Sequence, residues 1–236
     1  TKLSHYIFKK FGENFTSEAL NISLKGSAGQ SLGAFLCKSI KIKLFGDAND
    51  YVAKGLSGGK IVVVPSKDNN FKSNENTIIG NTVLYGATSG KLFAAGKAGE
   101  RFAVRNSGAV SVIEGCDANG CEYMTGGEVY ILGRVGDNFA AGMTGGMAFV
   151  YDQSNQFEKK INPESVIWQK PETDFWKNFL KELISNHINQ TNSIFAKKIL
   201  ENFEEEILNF YQVCPKEMLD KLENPISNKS IVGKAS

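Results

Sequence analysis

Glycines recur at nearly constant spacing through the first two thirds of this chain. Of the 24 glycines, 22 lie between Gly26 and Gly146. Six of them serve as anchors when the segments are aligned: Gly33, Gly59, Gly90, Gly108, Gly127 and Gly146. The last three intervals between anchors are 18, 19 and 19 residues long. A repeat of this kind restricts the chain to an architecture of stacked, equivalent units.

Residues at a fixed distance from each anchor share one chemical character. Two and four positions after the anchors the side chains are mostly apolar, and the residues between them are mixed, which is typical of a strand with one buried face. These positions hold Phe35, Ile61, Leu92, Val110, Val129 and Ala148, and then Cys37, Val63, Ala94, Val112, Ile131 and Val150. Two positions before the anchors lie Ser31, Ser57, Thr88, Asn106, Thr125 and Thr144. We interpret this last column as a polar ladder at a turn, and the anchors as turn glycines with positive φ.

A unit of 18 to 19 residues suits one coil of a parallel β-helix, in which coils stack at about 4.8 Å. We therefore predict an all-β parallel β-helix of about six coils. A β-sandwich with glycine-rich turns is the alternative. Two intervals are longer than one coil, and we assign their extra residues to insertions, one at 45–50 and one in the polar run 66–76.

The last third of the chain has a different pattern. Apolar residues recur at helical spacing from Phe175 to Ile188 and again from Ile199 to Leu208. Asn192 or Ser193 is a candidate cap for the second helix. The sequence therefore predicts two domains, a β-helix over 1–154 and a C-terminal α-helical extension over 155–236. Because open solenoid ends need covering, we expect these helices to pack on the β-helix or to cap it.

Charge and composition exclude several classes of function. The chain carries 27 Lys+Arg against 25 Asp+Glu, and this balance argues against a nucleic-acid partner. No apolar run reaches the roughly 18 to 20 residues of a membrane helix, and we expect no membrane association. Four cysteines in 236 residues do not form a disulfide framework. The sequence therefore favours reduced thiols and a cytoplasmic location.

No set of residues assembles into a catalytic, cofactor-binding or metal site. The glycines at 26–31 lack the ending of a P-loop, and Cys116 and Cys121 are too few for a metal centre. We expect the acidic residues of the body to lie at the exposed edges of turns. They are Asp47, Asp50, Glu100, Glu114, Glu122 and Asp137. Arg101 and Arg105 are expected to pair with carboxylates of neighbouring coils. We expect His187 to be a helix-packing residue rather than a general base.

Long ordered motifs resemble those of one family. They are GSAGQSLGAF at 26–35, GDANDYV at 46–52, KGLSGG at 54–59, IGNTVLYGATSG at 79–90, AGERFAVRNSG at 98–108, GCEYMTGG at 120–127 and NFAAGMTGG at 138–146. Together they resemble the C-terminal GXGXG domain of the glutamate synthase large subunit. The resemblance covers almost the whole chain and implies a right-handed parallel β-helix.

The resemblance also implies a function for the chain. The full enzyme makes two glutamates from glutamine and 2-oxoglutarate, with a glutaminase domain and a synthase domain that holds FMN and an iron–sulfur cluster. The β-helix domain is expected to be a non-catalytic scaffold with those domains as partners and no cofactor of its own. On this basis no activity is expected from this chain alone. Two alternatives stay open, a free-standing β-helix binding or assembly module and a β-helix carbohydrate-active enzyme.

Overall fold

A computed structural model describes residues 1–12, 20–66 and 71–227 of the chain. The described residues form eleven strands: β1 (Leu20–Ala28), β2 (Ile40–Ala48), β3 (Ser57–Val64), β4 (Thr77–Ile79), β5 (Ser89–Ala94), β6 (Lys97–Ala98), β7 (Ser107–Ile113), β8 (Thr125–Ile131), β9 (Gly145–Tyr151), β10 (Val166–Gln169) and β11 (Phe210–Pro215). The helices are α1 (Lys2–Phe11), α2 (Asp174–Thr191), α3 (Ile194–Glu201) and α4 (Phe203–Glu206). Short 3-10 turns lie at Ser73–Glu75, Phe157–Lys159, Ile207–Asn209 and Lys216–Lys221.

The predicted parallel β-helix with a helical extension is confirmed, with about seven turns in the described part of the chain instead of six. Strands β1, β2, β3, β5, β7, β8 and β9 stack in parallel, one per coil. Residues at equivalent positions therefore meet across coils. Val62, for example, pairs with Phe93, and Tyr130 pairs with Phe149.

Two hydrophobic cores lie on opposite faces of these strands. Inside the coils, Ile61 stacks on Leu92, and Val129 lies two coils further along the same column of the first core. On the outer face, Phe93 and Tyr130 belong to a second core that also contains the apolar stripe of α2. The sheet is therefore apolar on both faces over much of its length, because the helices cover the outer one.

The C-terminal extension continues the sheet as well as covering it. Strand β11 pairs antiparallel with β9, and β10 pairs antiparallel with β11. Helix α2 packs across the outer face, and Ser193 caps α3 by accepting a hydrogen bond from the Ala196 amide at 3.0 Å. Ser193 is one of the two predicted candidates for this cap, whereas the two strands are not visible in the helical pattern of the sequence. The division at residue 154 remains a proposal.

The predicted register is wrong in the fifth coil. Lys91 pairs with Val110 and Val110 with Glu128, so Ala109, and not Gly108, is equivalent to Gly90 and Gly127. Ser111 rather than Val110 consequently points into the first core column, and Val112 points outward. The alternation of apolar residues predicted a register that is wrong by one residue, because β7 is apolar on both faces. An alternating pattern fixes the register of a strand only where one face is polar.

The first anchor is also out of register. Lys41 pairs with Lys60, which makes Ile40, and not Gly33, the equivalent of Gly59. Residues 45–48 are therefore part of β2 and do not form an insertion, and the prediction missed a complete coil. The second predicted insertion is placed correctly, because extra residues follow β3 before β4 begins; positions 67–70 of that run lie outside the described residues.

Candidate functional site

Every coil from the first to the sixth turns through the same unusual corner. Three alternate residues in each corner have φ between 52° and 67°, which is the left-handed region. They are Ser31, Gly33 and Phe35; Tyr51, Ala53 and Gly55; Thr82, Leu84 and Gly86; Arg101, Ala103 and Arg105; Asn119, Cys121 and Tyr123; and Asn138, Ala140 and Gly142. Most of these residues are not glycine, so each costs about 1–2 kcal/mol of backbone strain.

Hydrogen bonds between coils stabilise this strained corner. The amides of the first and third residues donate forward, as Tyr51 N does to Asn81 O at 2.9 Å and Gly55 N to Tyr85 O at 2.8 Å. The amide of the middle residue donates backward, as Ala53 N does to Leu32 O at 2.9 Å. The pattern continues the parallel ladder around the corner, and the backbone groups buried there are satisfied.

Four of the six residues predicted to form a polar ladder lie in one column beside this corner, whereas Ser31 and Asn106 do not. The hydroxyls of Ser57, Thr88 and Ser107 each donate to a carbonyl of the preceding coil, at 3.5, 3.4 and 3.1 Å. Ser107 takes the place that the sequence assigned to Asn106, which follows from the register correction. Asn106 is buried and bonds to the backbone of Ala109.

Some of the remaining ladder and anchor residues occupy the positions predicted for them, and others do not. Thr125 and Thr144 align with Ser107 through their amides, which donate to Asn106 O and Met124 O. Ser31 belongs instead to the left-handed corner. Positive φ is found at four of the six anchors, which are Gly33, Gly90, Gly127 and Gly146, and not at Gly59 or Gly108. The structural role of the anchor glycines stays a prediction.

Several acidic residues of the body share one column of the β-helix. Asp50, Asn81, Glu100, Ala118 and Asp137 follow one another in this column from the second coil to the sixth. No neighbouring coils carry carboxylates there among the described residues, so Asp50 and Glu100, like Glu100 and Asp137, lie two coils, or about 9.6 Å, apart along the column. This separation is wider than the roughly 5–5.5 Å between the two carboxyl groups of a retaining glycosidase, so the column does not supply the pair that such an enzyme needs.

The predicted ion pairing of the arginines is confirmed for Arg101, whose Nε lies 3.0 Å from Glu122 Oε2 of the next coil. Beyond this pair, exposed amides form a ladder at the same corner. Asn138 donates to Asn119 at 2.8 Å and Asn162 donates to Asn138 at 2.9 Å. These contacts tie successive coils together at the surface.

The polar cluster that the sequence did not predict lies between the β-helix and its extension. Glu114 and His187 are both fully buried, and His187 Nε2 lies 3.3 Å from Glu114 Oε1. Ser193 also donates to Glu114 Oε1. Among the described residues, Glu114 Oε2 and His187 Nδ1 have no hydrogen-bond partner. Glu114 is therefore not a turn-rim residue as predicted, and His187 is a packing residue that also joins α2 to the body.

The four cysteines are packed in separate places. Cys116 and Cys121 lie inside the coils, Cys214 lies in the outer core, and Cys37 is half-buried at the other end of the solenoid. Burial raises the pKa of the Cys116 and Cys121 thiols well above the ordinary value and that of Cys214 to about 11. The described residues contain no group of three or more His, Cys, Asp or Glu that could hold a metal ion.

We expect a thiol reagent at pH 8 to modify one cysteine of the native chain rapidly. Cys37 is the half-buried thiol, whereas the other three are buried and their raised pKa values keep them protonated. A Cys37→Ser variant should lose the fast phase, and denaturant should release all remaining thiols. A fast phase that survives this substitution would contradict the assignment.

Comparison with known proteins agrees with this geometry. The sequence profile described as "GXGXG motif" matches residues 1–216. The chain belongs to the GXGXG motif family. Its similarity to the C-terminal region of glutamate synthase large chains confirms the predicted resemblance. None of the helices in the described residues is long and apolar enough to span a bilayer.

Several curated relatives share high identity with this GXGXG chain. It is 59% identical over 227 residues to the glutamate synthase [NADPH] large chain of Azospirillum brasilense, which covers 96% of this chain and 15% of that relative. It is 48% identical over 228 residues to glutamate synthase [NADH] of Schizosaccharomyces pombe, covering 96% and 11%. It is 49% identical over 215 residues to the ferredoxin-dependent glutamate synthase of Pyropia yezoensis, covering 91% and 14%. The chain thus spans about a seventh or less of these relatives.

Proposed function

We propose that this chain is the non-catalytic β-helix domain of a cytoplasmic glutamate synthase. In this proposal it packs against the glutaminase domain and against the synthase domain with FMN and an iron–sulfur cluster, and it holds them together. The chain itself holds no cofactor. High identity to glutamate synthases over nearly the whole chain supports the assignment.

An exposed apolar surface at the N-terminal end carries the scaffold part of the proposal. Helix α1 sits on the turn at 34–37, where Cys37 N donates to Ser4 Oγ at 3.4 Å and Ile7 enters the inner core. The turn covers only Ser4 and Ile7 of α1, and other apolar side chains of the helix stay exposed. Leu3 and Tyr6 lie on one side of the buried stripe and Phe8 on the other, and Phe35 belongs to the turn beneath.

The exposure of these side chains is high for residues of their type. Tyr6 is 57% exposed, Phe8 53% and Phe35 49%. We call Leu3, Tyr6, Phe8 and Phe35 the N-terminal apolar patch. Several large apolar side chains left exposed at one end of a domain are typical of an interaction site, because leaving apolar surface in water costs roughly 25 cal/mol per Å². A larger neighbouring domain that covers this patch would remove that cost.

The proposal predicts association with the catalytic part of a glutamate synthase. The chain is mixed with the Azospirillum brasilense large chain from which the matching region has been deleted, and binding is followed by sedimentation velocity. We expect a one-to-one complex, and we expect Tyr6→Asp/Phe8→Asp to weaken it about tenfold or more, because the charges oppose desolvation of the patch. Leu208→Asp is the matched control, since Leu208 is 68% exposed on the opposite part of the chain.

Two outcomes would contradict the scaffold function. If no complex forms at micromolar concentration, the chain does not serve these catalytic domains, and a free-standing assembly module becomes the better assignment. If Leu208→Asp weakens the complex as much as the double substitution does, the N-terminal apolar patch is not the contact. Recovery of glutamate formation on mixing is the functional readout of the same experiment.

A further inference from the structure

Three lysines are stacked on the outer face of the β-helix. Lys41 of β2 pairs directly with Lys60 of β3, and Lys60 pairs directly with Lys91 of β5. Lys41 and Lys60 are half-buried and Lys91 is exposed. Like charges directly opposite one another on a sheet are destabilising. We call Lys41, Lys60 and Lys91 the lysine column.

No carboxylate of the described residues forms an ion pair with this column. None of the ion pairs in this part of the chain involves the three ammonium groups. Burial lowers the pKa of Lys60, and the charges of Lys41 and Lys91 lower it further. The column continues through Val110 to Glu128, so the first carboxylate in register is two coils beyond Lys91. Burial raises the pKa of Glu128, and the charge of Lys91 partly offsets that rise from this distance. Folding therefore holds three positive charges close together, and no carboxylate of the described residues is in direct contact with them.

The neighbouring lysine shows that another arrangement is available on this face. Lys43 lies two residues along β2, and its Nζ donates to the carbonyl oxygen of Gln190 at 2.8 Å. The last turn of α2 thus satisfies Lys43, while the lysine column beside it has no equivalent partner in the described chain. The difference points to a ligand that comes from outside these residues.

Helix α2 shows which kind of element fits along the column. Trp176 packs on Phe149, Phe179 on Tyr130 and His187 on Phe93. Successive turns of α2 therefore lie over successive coils, and the helix runs along the solenoid axis. The lysine column runs along the same axis, one column to the side.

The spacing of the lysines suits the carboxylates of a helix. Their Cα atoms repeat at about 4.8 Å, so Lys41 and Lys91 lie about 9.6 Å apart. Helical residues at i, i+4 and i+7 rise by about 6 and 10.5 Å on one face. Same-face residues of an extended strand are about 6.6–7 Å apart, so three of them span about 13 Å, which is a poorer match.

We propose that the lysine column is a docking strip for an acidic helix of a partner protein, laid beside α2 and presenting Glu or Asp at i, i+4 and i+7. This surface is separate from the N-terminal apolar patch and does not depend on the glutamate synthase assignment. The contact is electrostatic and partly exposed, so it weakens with rising salt.

The probe is a designed helical peptide with Glu at i, i+4 and i+7 on one face, labelled for fluorescence anisotropy. Two control peptides are used, one with Gln at those positions and one with the same composition but with Glu spread around the helix. We expect the one-face peptide to bind the full chain about tenfold more tightly than either control at low salt. Equal binding of the spread-Glu peptide, or no binding of the one-face peptide, overturns the proposal.

Variants locate the contact. Lys60→Gln should weaken binding about fivefold, and Lys41→Gln/Lys60→Gln/Lys91→Gln should abolish it, whereas the exposed Lys197→Gln should have no effect. The unfolding midpoint of Lys60→Gln should be unchanged or higher, because the substitution removes like-charge repulsion. Unchanged binding by the triple variant overturns the proposal, as does tight binding of inorganic tripolyphosphate without binding of the peptide, which would indicate a polyphosphate ligand.

Discussion

Replacing His187 with leucine is expected to lower the free energy of unfolding by about 3–5 kcal/mol. The substitution keeps most of the side-chain volume but leaves the fully buried Glu114 with the hydroxyl of Ser193 as its one side-chain hydrogen-bond partner among the described residues. A buried carboxyl group that has lost a polar partner is costly, since the leucine side chain offers no hydrogen bond in its place. Guanidinium unfolding should be followed by circular dichroism and by the fluorescence of Trp176, which lies on the same helix.

The double variant Glu114→Leu/His187→Leu separates charge from packing. Exchange of a buried, mutually bonded polar pair for apolar residues of similar size is often nearly neutral, so most of the stability lost in the single variant should return. Asn189→Ala, an exposed change on the same helix, should stay within about 0.5 kcal/mol of the parent chain. If the double variant is as unstable as His187→Leu, the polar pair is not what the single substitution disrupts.

Gly127→Ala is expected to destabilise the fold by about 2–5 kcal/mol. Gly127 has φ of 83°, and a Cβ there would collide with the carbonyl oxygen of Ala109 in the preceding coil. Left-handed strain contributes about 1–2 kcal/mol and overpacking about 1–3 kcal/mol, because the clash is with backbone that cannot move without breaking the ladder. The guanidinium midpoint measures the loss.

Gly86→Ala is the matched control for this prediction. Gly86 has φ of 62°, but a Cβ built there would meet no atom within 4 Å. The control therefore isolates the backbone strain and should cost about 1–2 kcal/mol. Equal losses in the two variants would show that close approach of the coils at Gly127 contributes nothing to the glycine requirement.

Most of the architecture could be predicted from the amino-acid sequence. The intervals of 18 and 19 residues and the apolar columns indicate a parallel β-helix, because stacked coils place like residues on like residues. The family motifs predict the same fold and indicate the similarity to glutamate synthase. The register could not be predicted for β7, where Val110 and Val112 are covered by helices and Ala109 and Ile113 face the interior, so both faces read as apolar.

The candidate sites were less accessible to sequence reasoning. Glu114 and His187 are 73 residues apart, and neither residue carries a local signal that it meets the other in the interior. The lysine column is hidden for the same reason, because Lys41, Lys60 and Lys91 become neighbours through the pairing of three coils. Such contacts depend on register, which is where the sequence interpretation was weakest.

The corner of each coil shows which features of the backbone follow from the local sequence and which depend on contacts between coils. The sequence by itself determined the repeat, its length and the helical extension, since these depend on periodic burial that can be counted along the chain. It did not determine that residues such as Leu84, Arg101 and Tyr123 adopt left-handed backbone conformations, which local propensity assigns to glycine. Only the tertiary structure decided this, because hydrogen bonds to the coils on either side offset the local strain.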